Sequence, residues 1–298
     1  MSDRPGPADG HVADRRPVLV VGATGKTGRA VCAALVARGV RVRAAVRPGR
    51  EDAAPPGTEA VPVDLAQGQG LEATLDGTRA AYHLAPNVHP DEVGIARRVG
   101  IAASAVGLPR LVFHSVLHPD DQRMPHHLRK AEAERVLHDL LPGRVVVLRP
   151  AAYHQNLLAQ ALAGVITVPY SLDAPFSTVD VDDVGEVAAR ILLEPGREDD
   201  ATHDLAGPEV LTTRQMGRVA TTVLGRPVEV HRTTVASWRE GPGAPLPASA
   251  RDDLAAMFAA YDDGGLVGDP AELATLLGRV PTTWGEALAR ADAGRART

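Results

Sequence analysis

Lysine is nearly absent from this chain: of 32 basic side chains among 298 residues, only Lys26 and Lys130 are lysine and the rest are arginine. Lys26 lies in the run Gly22-Ala23-Thr24-Gly25-Lys26-Thr27-Gly28, and Lys130 closes His126-His127-Leu128-Arg129-Lys130. An ammonium is compact and its pKa can be tuned, whereas a guanidinium is a fixed and permanently charged fork, so the two do not exchange freely in a reacting site. Both lysines are therefore first candidates for chemistry.

Other scarcities exclude whole classes. The single cysteine, Cys32, cannot form an internal disulfide, and within a predicted helix it reads as a packed thiol in a reducing, cytoplasmic setting. Aromatic residues make up only 3%, so the core must be built from Val, Leu and Ala. A net charge of −5 argues against a nucleic-acid binder that neutralises phosphates. No apolar run approaches the roughly 18 residues of a membrane helix, and the first residues lack the apolar core of a signal peptide. Neither nucleic acid nor membrane is an expected partner.

What is present is an alternation. Residues 1–16 are polar, contain Pro and Gly, and read as a flexible tail. Val18-Leu19-Val20-Val21 is a short apolar run ending in Gly22, as expected of a buried parallel strand. A helix with Val31, Ala34 and Leu35 at helical spacing follows and stops at Gly39. Further strands are expected over 40–47, 61–64, 80–84, 111–114 and 144–148, with helices over 70–75, 90–106 and 127–140. This rhythm predicts an α/β fold, a doubly wound parallel sheet covered on both faces. We assign 17–150 to a dinucleotide-binding Rossmann domain completed by 176–206, where 179–193 reads as a turn and an amphipathic helix. The segments 151–175 and 207–298 then form a smaller, mainly helical C-terminal substrate lobe, with helices near 153–163, 212–224 and 248–261 and no strong sheet periodicity.

Gly22, Gly25 and Gly28 follow a predicted strand and open a helix, where backbone N–H groups can receive a pyrophosphate. A phosphate loop of the NTPase kind would need glycine at position 20, which is Val. The end of the second strand selects the cofactor. An NAD site would carry an acidic residue there for the ribose 2′-hydroxyl, but this chain has Arg47, with Arg43 and Arg50 nearby, which suits the 2′-phosphate of NADP(H) in preference to NAD(H). Asp64 and Leu65, at the end of the third strand, would flank the adenine. Lys26 points either to phosphate or, more simply, outward to water.

The stretches Gly22 to Gly28, His83-Leu84-Ala85-Pro86-Asn87, 147–156 and 176–185, with 205–211 and 224–228, together resemble the NmrA-like branch of the atypical short-chain dehydrogenases/reductases over about residues 17–290. That resemblance implies a Rossmann domain binding NADP(H) and a smaller lobe closing over a cleft. It implies cofactor contacts at Gly22, Thr24, Gly25, Lys26, Thr27, Gly28, Leu84, Ala85 and Pro86. The family includes reductases of quinones, dyes and enones, and also sensors that bind the dinucleotide without turnover.

The wider superfamily pairs a Tyr with a Lys four residues later, the Lys holding the nicotinamide ribose and the Tyr donating a proton. Here Lys130 matches the Lys, while the residue four earlier is His126. If the helix includes His126, the two side chains share a face, and the ammonium lowers the imidazole pKa. His126 or Tyr153 is the expected proton donor, and Ser115, just beyond the fifth strand, matches a substrate-orienting serine or else caps a turn. His114 and His118 straddle a strand end and a loop, so no metal is expected. These readings predict an NADPH-dependent reductase of a small, quinonoid or aromatic carbonyl or enone substrate, monomeric or dimeric. The alternative is a non-catalytic NADP(H)-binding redox sensor that regulates a protein partner.

Overall fold

The computed structural model describes residues 14–194 and 200–295. Six strands come first: β1 (Val18–Val21), β2 (Val42–Val46), β3 (Glu59–Pro62), β4 (Ala80–His83), β5 (Leu111–His114) and β6 (Val145–Pro150). Between them lie α1 (Lys26–Ala37), α2 (Leu71–Leu75), α3 (Glu92–Ala105) and α4 (Pro125–Leu140). The chain continues with α5 (Leu158–Ala163), β7 (Val165–Val168), β8 (Pro175–Phe176), α6 (Val181–Leu193) and β9 (Thr202–Leu205). It ends with β10 (Leu211–Thr212), α7 (Thr213–Leu224), β11 (Glu229–Arg232), α8 (Val235–Glu240), α9 (Ala248–Asp262), α10 (Ala271–Leu277) and α11 (Trp284–Arg295).

Seven strands form one parallel sheet in the order β3-β2-β1-β4-β5-β6-β9. The order reverses between β1 and β4, and the carboxyl ends of strands at such a switch point form the crevice where α/β folds bind ligands. Side chains alternate across the sheet. Val18, Val20, Tyr82, Val112 and Val146 pack under α1 and α6 with Val31, Leu35 and Val187, while Leu19, Val21, Ala81, Phe113 and Val147 pack under α2, α3 and α4 with Leu71, Ile95 and Leu137. Cys32 is buried in the first layer, and burial pushes its thiol up to about 12.

The structure differs from the sequence expectation in several details. The third strand begins earlier, at Glu59, and Asp64 lies outside it in an isolated bridge to Gln69. Helix α4 starts at Pro125, whose fixed φ suits the first helical position, so it includes His126. The region expected to lack sheet periodicity contributes two small ladders, a parallel β7–β11 pair and an antiparallel β8–β10 pair. Strands of two to four residues are too short for alternation to be read, and β11, Glu-Val-His-Arg, offers one apolar residue. Most of the expected tail lies outside the described residues, but Asp14 pairs with Arg16 and its carbonyl accepts from Arg79. Among the described residues, no helix is long and apolar enough to cross a membrane.

Candidate active site

The glycine turn sits where β1 meets α1, against the end of β4. Gly22 has φ +81, and a Cβ built there would lie 2.5 Å from the Leu84 carbonyl oxygen. At Gly28 it would lie 2.1 Å from the Gly22 carbonyl oxygen. Both positions therefore require glycine, the first for conformation and close approach, the second so that α1 can close on β1. Gly25 is the N-cap of α1, no side chain caps that terminus, and its first turn carries no acidic residue. Thr24, Gly25 and Lys26 are exposed at the turn, while Thr27 is buried.

Opposite the turn, Leu84 is half-buried, Ala85 buried and Pro86 exposed. Val88, buried in the same loop, has φ +52, which a β-branched side chain rarely adopts. Strain of this kind collects at functional sites because the surrounding structure must hold it. Arg47 follows β2, is exposed, and takes no hydrogen bond or ion pair with its side chain among the described residues. Its neighbours are committed elsewhere: Arg43 donates to the Thr74 and Asp76 carbonyls at 2.9 and 2.8 Å, and Arg50 lies 3.7 Å from Asp52. Asp64 Oδ1 accepts from the Ala66 and Gln67 amides, which shapes the loop holding Leu65.

Lys26, although exposed, has a side-chain partner outside the turn. Its Nζ donates to Asn156 Oδ1 at 2.8 Å and lies 5.8 Å from the Tyr153 ring centre, so it ties α1 to the segment beyond β6. Thr27 Oγ1 donates to Tyr153 Oη at 3.3 Å, and the same oxygen lies 3.1 Å from His114 Nε2. His114 Nδ1 in turn lies 2.5 Å from Tyr82 Oη. Burial raises both tyrosine hydroxyls well above their ordinary value, and burial, followed by the Lys130 charge, holds His114 far below its own. All three are uncharged at neutral pH.

Lys130 and His126 share a face of α4 and both are buried, and Lys130 looks into the layer between the sheet and α3. Lys130 Nζ lies 2.8 Å from Glu92 Oε1, donates to the His114 carbonyl at 2.9 Å and stands 5.0 Å from the Phe113 ring centre. The Lys130 side chain is 4% exposed and that of Glu92 0%. This ammonium holds the end of β5 from inside the fold, which departs from the expected contact with a ribose. His126 is also buried, with Nδ1 lacking a hydrogen-bond partner among the described residues, and burial, then Lys130, lowers its pKa to about 3. Burial outweighs the lysine charge, and the imidazole carries no spare proton near neutral pH. Ser115 is fully buried and its hydroxyl donates to Glu134, so it does not open onto the crevice. Among the described residues, no group of His, Cys, Asp and Glu could hold a metal.

Tyr82 did not stand out in the sequence as a site residue, and His114 entered only as a failed metal ligand. Their signal is a register one. Tyr82 pairs with Val112, so His114, two residues further on, stands on the same face of the neighbouring strand.

Comparison with known proteins places the chain in a family. The model of the NmrA-like family matches residues 14–287. A (4-alkanoyl-5-oxo-2,5-dihydrofuran-3-yl)methyl phosphate reductase of Streptomyces griseus is 33% identical over 220 residues, covering 71% of this chain and 75% of that protein. An NAD(P)H azoreductase of Xenophilus azovorans is 26% identical over 278 residues, covering 90% and 96%. The crystal structure of an NADPH-dependent quinone oxidoreductase from Escherichia coli superposes with a TM-score of 0.77 at 26% identity, covering 92% of this chain and 99% of that one.

Proposed function

The chain belongs to the NmrA-like family, and on that premise we propose that it is an NADPH-dependent reductase of a small quinonoid or aromatic carbonyl or enone compound. The observation that carries this reading is the cradle at the switch point, where Gly22 and Gly28 exclude any Cβ beneath an uncapped helix terminus. Such a terminus suits a pyrophosphate. The unpaired Arg47 beyond β2 suits a 2′-phosphate, and Leu84, Ala85 and Pro86 would line the approach of the nicotinamide half. Three relatives with reductase or oxidoreductase activity support the same reading.

Reduced nicotinamide supplies a hydride, after which the acceptor needs one proton. In this chain the group suited to deliver it is Tyr153, protonated across the physiological range and half-buried beside the first turn of α1. Lys130 acts at one remove, fixing the end of β5 and with it His114. A sensor would need the same cradle. What favours turnover is the Tyr153 hydroxyl, held by two partners next to that cradle.

The test mixes the purified protein with NADPH or NADH and a panel containing menadione, an azo dye and an unsaturated lactone, and follows loss of the reduced cofactor. Arg47→Asp removes a charge-assisted contact and should weaken NADPH binding by about 10- to 100-fold while sparing NADH. NADPH bound with no acceptor reduced would overturn the reductase in favour of the sensor, and no preference between the cofactors would remove Arg47 from the site.

A further inference from the structure

We propose that Tyr82 and His114 form a positioning pair that fixes one tautomer of the imidazole and thereby aims the Tyr153 hydroxyl proton at the acceptor. The proposal rests on the reductase reading for its chemistry, but its geometry stands by itself. Tyr82 is fully buried, and His114 Nδ1 at 2.5 Å is its hydroxyl's hydrogen-bond partner. A buried hydroxyl left without an acceptor carries a large desolvation cost, so Tyr82 donates and Nδ1 accepts. A neutral imidazole has one N–H, which must then sit on Nε2. Nε2 donates to Tyr153 Oη at 3.1 Å, and Thr27 Oγ1 donates to the same oxygen at 3.3 Å. With both lone pairs of the phenol occupied, its own proton has neither neighbour to point at and is left to the remaining side.

The backbone supports this arrangement. Tyr153 bridges to Val179, with the Val179 amide donating to the Ala152 carbonyl at 2.9 Å and the His154 amide to the Val179 carbonyl at 3.0 Å. The His114 and Tyr153 rings are stacked at 6.3 Å, and those of Tyr82 and His114 meet edge-on at 5.9 Å. The network ends at Tyr82 in the core, so it orients a proton and does not conduct one from solvent. In the balanced step, bound NADPH would supply the hydride, and with it the two electrons, that the acceptor takes up. The Tyr153 O–H bond breaks as its proton passes to the acceptor oxygen, and the phenolate recovers a proton from water once the product leaves.

The experiment has two arms on the full chain. In the first, nitrogen-15 NMR of ring-labelled histidines, with His114 assigned by its loss in His114→Gln, reads the tautomer. Nδ1 bare and Nε2 protonated is expected, with Tyr82→Phe releasing the ring to the other tautomer; a proton on Nδ1 in the wild type overturns the proposal. The second arm measures NADPH oxidation with menadione. Tyr153→Phe should lower kcat by about 100-fold or more, as loss of a proton donor does. Tyr82→Phe should lower kcat by roughly 10-fold with KM and NADPH binding within about twofold, because only orientation is lost. His114→Gln, which keeps an N–H donor, should retain more activity than His114→Leu. Wild-type kcat in Tyr82→Phe sinks the proposal even if the tautomer is as stated. If the wild-type protein reduces no acceptor, the reductase reading falls separately, and the fixed tautomer still stands or falls on the first arm.

Discussion

Tyr82 and His83 are neighbours in β4, yet their side chains enter opposite faces of the same sheet and meet opposite fates. On the α1/α6 face, Tyr82, His114, Tyr153 and Thr27 form an uncharged, continuously bonded line. On the α3/α4 face, among the described residues, His83 has no partner for either ring nitrogen and His126 has none for Nδ1, and the buried Glu92–Lys130 ion pair stands between α3 and α4. The first arrangement can hold a proton in one direction at little energetic risk. The second puts charges into the interior, where attraction must offset a large desolvation cost, so its stability depends on both partners being present.

The largest expected effect breaks that dependence. Lys130→Met leaves the Glu92 carboxylate buried and uncompensated and should cost about 3–5 kcal/mol, measured by urea unfolding. Adding Glu92→Met should recover most of the loss, since a well-packed apolar pair is often as stable as an ion pair. A loss under about 1 kcal/mol in the single variant would mean that the pair contributes as little as an exposed one. The contrast with Tyr153→Phe sharpens the comparison, because that variant should lose kcat and keep most of its stability.

The sheet and the cradle were legible because they rest on local rules. Gly22 and Gly28 are dictated by a turn and a close approach, and Val18–Val21 by an apolar run ended by glycine. Lys130 could be singled out from the sequence, but its partner could not. Glu92 in a first helical turn reads as a surface residue favoured by the helix dipole, and only the packing of α3 against α4 encloses it. His114 and Tyr82 were hidden for a related reason. Their contact needs β4 beside β5 in a particular register, and no spacing along the chain encodes that. Lys26 shows the limit from the other side: it was conspicuous for a phosphate-loop pattern, yet it serves as a tie to Asn156, 130 positions away.

Protonation gives an intermediate effect, testable on the α3/α4 face; His114 on the opposite face is lowered by burial in the same direction. His83 and His126 are both lowered to about 3, chiefly by burial, from the ordinary 6.5. Their folded pKa lies below the unfolded one, so the unfolded chain takes up protons first as pH falls. Stability is full above pH 6.5 and is lost progressively towards pH 3, by about 1.4 kcal/mol per pH unit for each group, or roughly 2 kcal/mol each near pH 5. His83→Phe should remove its share: the loss between neutral pH and about pH 5, followed by urea midpoints, should shrink by roughly 2 kcal/mol. An unchanged loss would mean that His83 finds a proton partner in solution.

Ser115 provides the smallest test, and it asks whether the α3/α4 face takes any direct part in the chemistry. The serine follows His114, and its hydroxyl turns to Glu134 on α4, away from Tyr153. Arg149 holds the same carboxylate through two contacts, Nε at 3.0 Å and a terminal nitrogen at 2.5 Å, so Glu134 keeps its charge partner when the hydroxyl is removed. Ser115→Ala should therefore cost about 1 kcal/mol, the value of one neutral donor to a group still satisfied by others. Because the hydroxyl faces α4, KM for menadione should stay at the wild-type value. A raised KM with unchanged stability would show that the serine reaches the acceptor after all, and would shift part of the substrate contact onto the face that otherwise serves only to hold the strand ends.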